Sequence, residues 1–137
     1  MREFGNVATV TEMGALEFAV DSLGTNLIVV MGHTKCGAVN AMVKGDQLEG
    51  NLVALMEPIM PAVDEARRET AEGDDLLELA VHANTMHQVR RLLTQSDALA
   101  GAVRDGNLKI VGAVYDLETG EVEFLGEHPR QAAVIGG

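Results

Sequence analysis

Apolar residues recur with helical spacing over most of the chain, and two short apolar runs interrupt that pattern. The first run, Leu27–Met31, is β-branched and has no helical period, so it predicts a strand that is buried on both faces. The second run, Leu108–Tyr115, alternates loosely and predicts another strand. Turn residues at Asp116–Gly120, followed by Glu121–Leu125, predict a returning strand and therefore a hairpin.

The remaining segments carry apolar stripes three and four residues apart, which predict helices. Thr9 or Thr11 is expected to cap the first helix, and Glu12 would complete a capping box. Pro58 and Pro61 should kink the stripe that contains them or divide it into shorter helices. In chain order, helices are predicted up to Leu23, over Ala38–Lys44, over Leu52–Val63, from Leu76 onward after a break at Gly73–Asp75, and over Ser96–Val103.

The order of these elements predicts an α/β fold. A long helical crossover between the two apolar strands requires them to be parallel, and the hairpin adds an antiparallel strand at the C-terminal end. We expect one domain over residues 1–126, followed by a tail, 127–137, that is either loose or an oligomerisation arm. Three strands are few for so many helices, so strands from a second chain could be needed to complete the sheet.

Composition narrows the class of protein. Of 137 residues, 47% are hydrophobic and only 3% are aromatic, so the core must be aliphatic. No apolar run approaches the ~20 residues of a membrane span, and the N-terminus lacks the apolar region of a signal peptide. Twenty-one acidic against ten basic side chains give a net charge of −11, which argues against binding to nucleic-acid phosphates. We therefore expect a cytoplasmic protein with neither nucleic acid nor membrane as partner.

The candidate chemistry lies directly after the first strand. Gly32 is expected to break the strand, and His33 and Cys36 then follow in a turn that opens a helix. Open α/β sheets bind ligands at the carboxyl ends of their strands. The helix N-terminus and Lys35 favour a thiolate at Cys36, and thiolate and imidazole are both zinc ligands. Taken alone, the pair fits equally well a buried thiol beside a hydrogen-bonded histidine.

The other candidates for chemistry are weaker. Cys36 is the single cysteine, so an internal disulfide is excluded. His82 and His87 lie five residues apart on the long helix and should point in different directions, and His128 lies in the tail. We expect His82 and His87 to be surface or packing residues, whereas for His128 the alternative of reaching a neighbouring site stays open. A phosphatase loop built on Cys36 would require arginine at the position of Met42.

The wider sequence resembles the β-class carbonic anhydrases. The resemblance rests on GALEFAVDSLGTNLIVVMGHTKCGAVNAMV, which holds the helix Gly14–Leu23, the first strand and the turn. Asn84 and Gln88 in AVHANTMHQVRRL fit the long helix of that family, and LKIVGAVYDLETGEVEF fits its closing strand and hairpin. Arg2, Gly5 and Asn6 resemble the strand end that precedes the first of these helices. The resemblance covers residues 2–125.

That resemblance implies a function and a site. His33 and Cys36 would be two of three protein ligands to Zn²⁺, and backbone N–H groups around Gly37 and Ala38 would face the bound oxygen atoms. In the family, zinc lowers the pKa of bound water, and the hydroxide hydrates CO₂ to bicarbonate. Members are dimers or higher oligomers, so a second copy of this chain is the expected partner.

One departure from the family pattern changes the expected activity. The family carries a second zinc cysteine in a first-strand C-x-D-x-R motif, whose Asp and Arg orient the zinc-bound water. We expect this chain to begin after that motif and after the N-terminal helical arm, which leaves the zinc site incomplete. Carbonic anhydrase activity should then be reduced or absent. The alternatives are a non-catalytic structural or regulatory homologue, a piece of a longer enzyme, thiol-dependent catalysis at Cys36, or a hydrolase of carbonyl sulfide or carbon disulfide.

Overall fold

A three-stranded mixed sheet lies at the centre of the fold. The computed structural model describes residues 1–69 and 73–136. The strands are β1 (Leu27–His33), β2 (Lys109–Tyr115) and β3 (Val122–Gly126), in the order β1-β2-β3. β1 and β2 are parallel, with Ile28 opposite Ile110, whereas β3 returns antiparallel to β2. The predicted α/β class with a C-terminal hairpin strand is confirmed.

Helices form the connections, and most begin and end near their predicted limits. Pro58 lies in a 3₁₀ turn and Pro61 at the start of the next helix, so the two prolines divide the apolar stripe as predicted. The long helix begins at Gly73, three residues before the predicted start. The helices are α1 (Val10–Leu23), α2 (Gly37–Lys44), α3 (Asn51–Met56), α4 (Met60–Glu69), α5 (Gly73–Gln95), α6 (Asp97–Arg104) and α7 (Gln131–Val134), with 3₁₀ turns at Phe4–Asn6 and Glu57–Ile59.

The core is built around α5, which packs against both β1 and β2. Two apolar clusters divide the interior. One joins α2 and α4 to the first half of α5, and includes Cys36, Val39, Ile59 and Val63. The other joins α1 and α6 to the second half of α5, and includes Leu92, Leu99 and Ile110. All of these side chains except Cys36 are aliphatic, as the low aromatic content predicted.

A buried polar network on α5 holds the N-terminal segment in place. The Gln88 side chain accepts a hydrogen bond from the Ala8 N–H at 3.0 Å and donates to Asn84 Oδ1 at 3.0 Å. Asn84 in turn donates to the Gly5 carbonyl at 2.9 Å. Gln88 and Asn84 are fully buried, so each bond replaces one that water would otherwise supply. The network therefore fixes the path of residues 5–8 across α5.

The prediction that β1 is buried on both faces is wrong. Ile28 and Gly32 are buried on the side of α5, whereas Leu27, Val29 and Met31 alternate with them and are exposed. β1 is an edge strand of the sheet, and no element within the described ranges covers its second face. In an apolar run without alternation, both faces of the strand carry the same residue types. The sequence therefore does not indicate which face is covered.

The prediction that Gly32 ends the strand is also wrong, since β1 continues to His33. Gly32 lies where α5 approaches the sheet most closely. A Cβ atom at this position would overlap the Thr85 hydroxyl and lie 3.5 Å from Val81 Cγ1. Glycine here therefore allows close packing within a continuous strand and does not act as a strand terminator.

The cap of α1 differs in detail from the predicted capping box. Thr9 is the N-cap residue, but its side chain accepts no hydrogen bond from the first turn. Its hydroxyl donates to the Glu12 carboxylate. That hydrogen bond holds the pKa of Glu12 below its usual value.

The C-terminal segment folds back onto its own chain. Val134 and Ile135 pack against the cluster formed with α1 and α6, and the Arg104 guanidinium donates to the Ile135 carbonyl at 2.6 Å. The final residue, 137, lies outside the described residues. The division at residue 126 and the role of the tail as an oligomerisation arm stay predictions. None of the helices in the described ranges is long and apolar enough to cross a membrane.

Candidate functional site at the carboxyl end of β1

The turn between β1 and α2 brings His33 and Cys36 to one end of the sheet. His33 is the last residue of β1 and pairs with Tyr115 of β2. Cys36 is the N-cap residue of α2, and its carbonyl accepts the first helical hydrogen bond, from Asn40 N–H at 2.9 Å. Between them, Lys35 has a left-handed backbone with φ of 55°. A non-glycine residue in that conformation costs about 1 kcal/mol, so the surrounding structure must hold the turn.

The β2–β3 turn provides that support. Thr34 N–H donates to the Tyr115 carbonyl at 2.9 Å, and the Thr34 hydroxyl accepts from Leu117 N–H at 3.0 Å. The Lys35 ammonium forms an ion pair with Glu118. The Asp116 carboxylate caps its own turn by accepting from the N–H groups of Thr119 and Glu118, and these hydrogen bonds lower its pKa. These contacts fix the position of the 33–36 turn relative to the β2–β3 turn.

Cys36, Gly37 and Ala38 differ in their access to solvent. The Cys36 residue is only 3% exposed and packs in the cluster formed with α2 and α4. Gly37 is exposed at the first position of α2, and Ala38 is buried. Ala38 lies against Gly5, whose φ of 64° and close contact with Ile59 favour glycine. The thiol therefore faces the protein interior, while the N-terminus of α2 faces solvent.

A zinc site requires both suitable ligand types and a sufficient number of ligands. A thiolate and an imidazole are suitable ligands, but a catalytic zinc needs three protein ligands and a water molecule. Among residues 1–69 and 73–136, no group of three or more His, Cys, Asp or Glu side chains is placed to hold a metal ion. Within those ranges, His33 and Cys36 match zinc in ligand type.

An open groove runs beside the turn along β1. Its volume is about 940 Å³, and it is lined by the N-terminal segment, by β1 and by His33. Asn6 also lines the groove and has a left-handed backbone with φ of 46°. Its Nδ2 atom is buried without a hydrogen-bond partner in the described part of the chain. A polar donor and an imidazole thus border an apolar groove.

The chain is similar in sequence to known proteins. The sequence model of the carbonic anhydrase family matches residues 1–122. Carbonic anhydrase 2 of Mycobacterium tuberculosis is 34% identical over 125 residues, which are 88% of this chain and 58% of that protein. The chain belongs to the β-carbonic anhydrase family. A second member, the carbonic anhydrase of Synechocystis, is 33% identical over 117 residues, which are 81% of this chain and 42% of that protein.

Solved β-carbonic anhydrase structures share the fold. The β-carbonic anhydrase CcaA superimposes with a TM-score of 0.75 at 29% identity, over 95% of this chain and 66% of that one. The Coccomyxa β-carbonic anhydrase in complex with acetazolamide gives a TM-score of 0.79 at 27% identity, over 91% of this chain and 59% of that one. This β-carbonic anhydrase homologue thus spans between two fifths and two thirds of the length of these four proteins.

The other three histidines lie away from the 33–36 turn, around a cleft between α4, α5 and β3. His82 Nε2 is 3.0 Å from a Glu123 carboxylate oxygen, and His87 Nε2 is 2.7 Å from a Glu65 oxygen. The two rings contact different elements, His82 at β3 and His87 at α4, and both line the cleft. Burial lowers the pKa of His82, but the hydrogen bonds to Glu123 and the Glu78 carbonyl outweigh it and raise the pKa. Burial also lowers the pKa of His128, and here the nearby charges add to the effect.

Sequence reasoning missed the residues that support the turn. Asp116 and Thr34 were not identified, although an aspartate at the start of a turn is a common signal for side-chain capping of backbone N–H groups. The contact between Thr34 and Leu117 joins residues 83 positions apart. Spacing along the chain gives no indication of such a contact.

Proposed function

We propose that this chain is a β-carbonic-anhydrase-type domain with an incomplete zinc site, in which His33 and Cys36 are two zinc ligands. The observation that carries the proposal is their placement at the end of β1 and the start of α2, without a third donor among the described residues. The N-terminus of α2, where Gly37 is exposed and Ala38 is buried, would offer its backbone N–H groups to the oxygen atoms of a small anion such as bicarbonate.

The ligand number determines the expected activity. Zinc held by two protein ligands is bound more weakly and oriented less firmly than zinc held by three. The chain by itself is therefore expected to bind zinc weakly, and its hydration of CO₂ to bicarbonate is expected to be low or absent. Family membership supports the substrate class, and the donor count supports the reduced rate.

The second candidate is a non-catalytic homologue that keeps the fold for a structural or regulatory role. The same missing third donor favours it, together with the burial of the Cys36 residue. The two candidates differ in one measurable property, because only the first requires zinc at His33 and Cys36.

Zinc content and CO₂ hydration should be measured on the same purified protein. Elemental analysis after equilibration with zinc gives the stoichiometry, and stopped-flow hydration gives the rate. We expect substoichiometric zinc that is lost in His33→Ala and in Cys36→Ala, with a rate close to that of buffer. His82→Ala is the matched control, since it removes an imidazole outside the 33–36 turn. Full zinc occupancy with rapid hydration would contradict the incomplete site, and equal zinc content in all four proteins would favour the non-catalytic homologue.

We also propose that the chain forms a homodimer or higher oligomer through the open face of the sheet. Leu27, Val29 and Met31 place a row of exposed apolar side chains beside the groove along β1. A monomer rarely leaves such a continuous apolar patch in water. Light scattering should report an oligomer that Val29→Lys or Met31→Lys dissociates. Leu52→Lys, on α3 and more exposed than Val29 or Met31, should leave the mass unchanged.

A further inference from the structure

A second concave site lies beside α5 and includes part of β3 in its lining. It is a cleft of about 640 Å³ between α4, α5 and the segment that follows β3. Ala83, Met86 and Leu125 form its apolar floor, and Arg90 and Arg130 border it. Sites for small organic ligands have volumes of roughly 300–1,000 Å³ and combine an apolar lining with a few polar groups. The cleft has both properties.

Within the described residues, the two arginines of the cleft, like Arg68 on α4, lack the backbone contacts that three other arginines make. Arg67, Arg91 and Arg104 each donate to a backbone carbonyl. The guanidinium groups of Arg90 and Arg130 have no hydrogen-bond or ion-pair partner within residues 1–69 and 73–136. A protein with a net charge of −11 thus presents two uncompensated guanidinium groups at one cleft.

His128 adds a third donor of defined orientation. Its Nδ1 atom accepts a hydrogen bond from the Arg130 backbone N–H at 3.2 Å. The neutral ring therefore carries its proton on Nε2, which is left to donate. Burial lowers the pKa of His128, and the charges of Arg90, Arg130 and His87 lower it further. The Glu65 carboxylate acts in the opposite direction, so the ring lies near charges of both signs.

The acidic groups of the cleft are mostly engaged. Glu65 interacts with His87, and Glu123, beside the cleft, interacts with His82. Glu69 is exposed at the end of α4 and lines the opposite wall. No set of three ligating side chains in the described ranges could hold a metal ion here, so the three histidines do not form a metal site. The remaining uncompensated charge on the β3 side of the cleft is positive.

We propose that this cleft binds a phosphate group, carried as the monoester of a small organic molecule. The three terminal oxygens of a phosphate monoester match three donors, the two guanidinium groups and His128 Nε2–H, whereas a carboxylate offers only two. The apolar floor would contact the organic part of the ligand. A free phosphate ion shares the charged contacts and leaves most of the volume unfilled.

Binding can be measured by NMR on the intact chain, with phenyl phosphate as the probe. We expect a saturable shift of the His128 imidazole signals and a rise in the pKa of His128, because a bound dianion favours the protonated ring. Arg90→Ala and Arg130→Ala should each weaken binding about tenfold or more, as the loss of a charge-assisted hydrogen bond predicts. Glu69→Gln should tighten it. Arg68→Ala is the matched control, since Arg68 lies on α4 and does not line the cleft.

Inorganic phosphate and benzoate identify the group that is recognised. Phenyl phosphate binding more tightly than inorganic phosphate supports a monoester, and equal binding supports free phosphate through the same donors. Benzoate binding as tightly as phenyl phosphate overturns the phosphate assignment. So does an unchanged His128 signal at ~10 mM phenyl phosphate, the concentration at which even millimolar affinity would be visible. Equal weakening by Arg68→Ala and Arg90→Ala would mean diffuse attraction and would also overturn the proposal.

Discussion

Replacing Gly32 by alanine tests how closely α5 must approach β1. A Cβ atom at residue 32 would overlap the Thr85 hydroxyl, which is held by a 2.9 Å hydrogen bond to the Val81 carbonyl. Thr85 is fully buried, and its short side chain cannot move away without breaking that bond. The strand or the helix must therefore shift. Overpacking of this kind costs about 1–3 kcal/mol, which is a large share of the roughly 5–15 kcal/mol that stabilises a typical domain.

The assay is urea unfolding followed by far-UV circular dichroism. Gly32→Ala should lower the free energy of unfolding by about 1–3 kcal/mol without changing its dependence on urea. Thr85→Ala, which removes the overlapping hydroxyl, should restore part of this loss when the two changes are combined. The double-mutant cycle should then give a favourable coupling of about 1 kcal/mol or more.

Gly14→Ala is the control for a glycine replacement without a steric clash. Gly14 lies within α1, and a Cβ atom there would meet nothing within 4 Å. Alanine at such a helical position should stabilise the protein by about 0.5–1 kcal/mol. The reasoning would be refuted if Gly32→Ala left the free energy of unfolding unchanged or higher. Strict additivity with Thr85→Ala would refute the proposed overlap in particular.

Two further predictions concern polar groups on α5. Gln88→Ala would leave a buried backbone N–H and the Asn84 carbonyl without partners, at about 1–3 kcal/mol each. Urea unfolding should therefore show a loss of about 2–6 kcal/mol, whereas the exposed Gln95→Ala should show almost none. The raised pKa of His82 stabilises the fold fully below the unfolded value of 6.5, and this stabilisation is lost as the pH rises through the folded value. Glu123→Gln should therefore lower the melting temperature near pH 6 but not near pH 9, and an equal effect at both would contradict an ionic origin.

The apolar pattern was sufficient to predict the order and type of the main elements. The pair of parallel strands, the hairpin and the helix division at Pro58 and Pro61 follow from local sequence, because periodicity and backbone chemistry act over a few residues. The 33–36 turn was predicted for the same reason. His33 and Cys36 flank a change from strand to helix, and such changes are visible in the sequence.

The features that were missed depend on contacts between distant residues. Gly32 continues the strand because of Thr85, which lies 53 positions later in the sequence. Whether the second face of β1 is exposed depends on which elements pack against the sheet. A strand made only of apolar residues does not indicate whether such an element is present. The cleft around Arg90 and His128 is formed when the segment after β3 packs against α5. Arg90 and His128 are 38 positions apart in the sequence, so their spacing gives no indication of a shared cleft.

The exposed edge of β1 has a consequence for how the chain behaves before it is fully assembled. Leu27–Met31 contains neither proline nor charge, and β1 pairs with a neighbouring strand on only one side. Edge strands of this kind present free N–H and C=O groups to other chains, and uncharged β-branched segments stack into cross-β aggregates. Refolding yield should therefore fall steeply with protein concentration. The same side chains that would bind a second copy set the upper concentration at which newly made chains stay in solution.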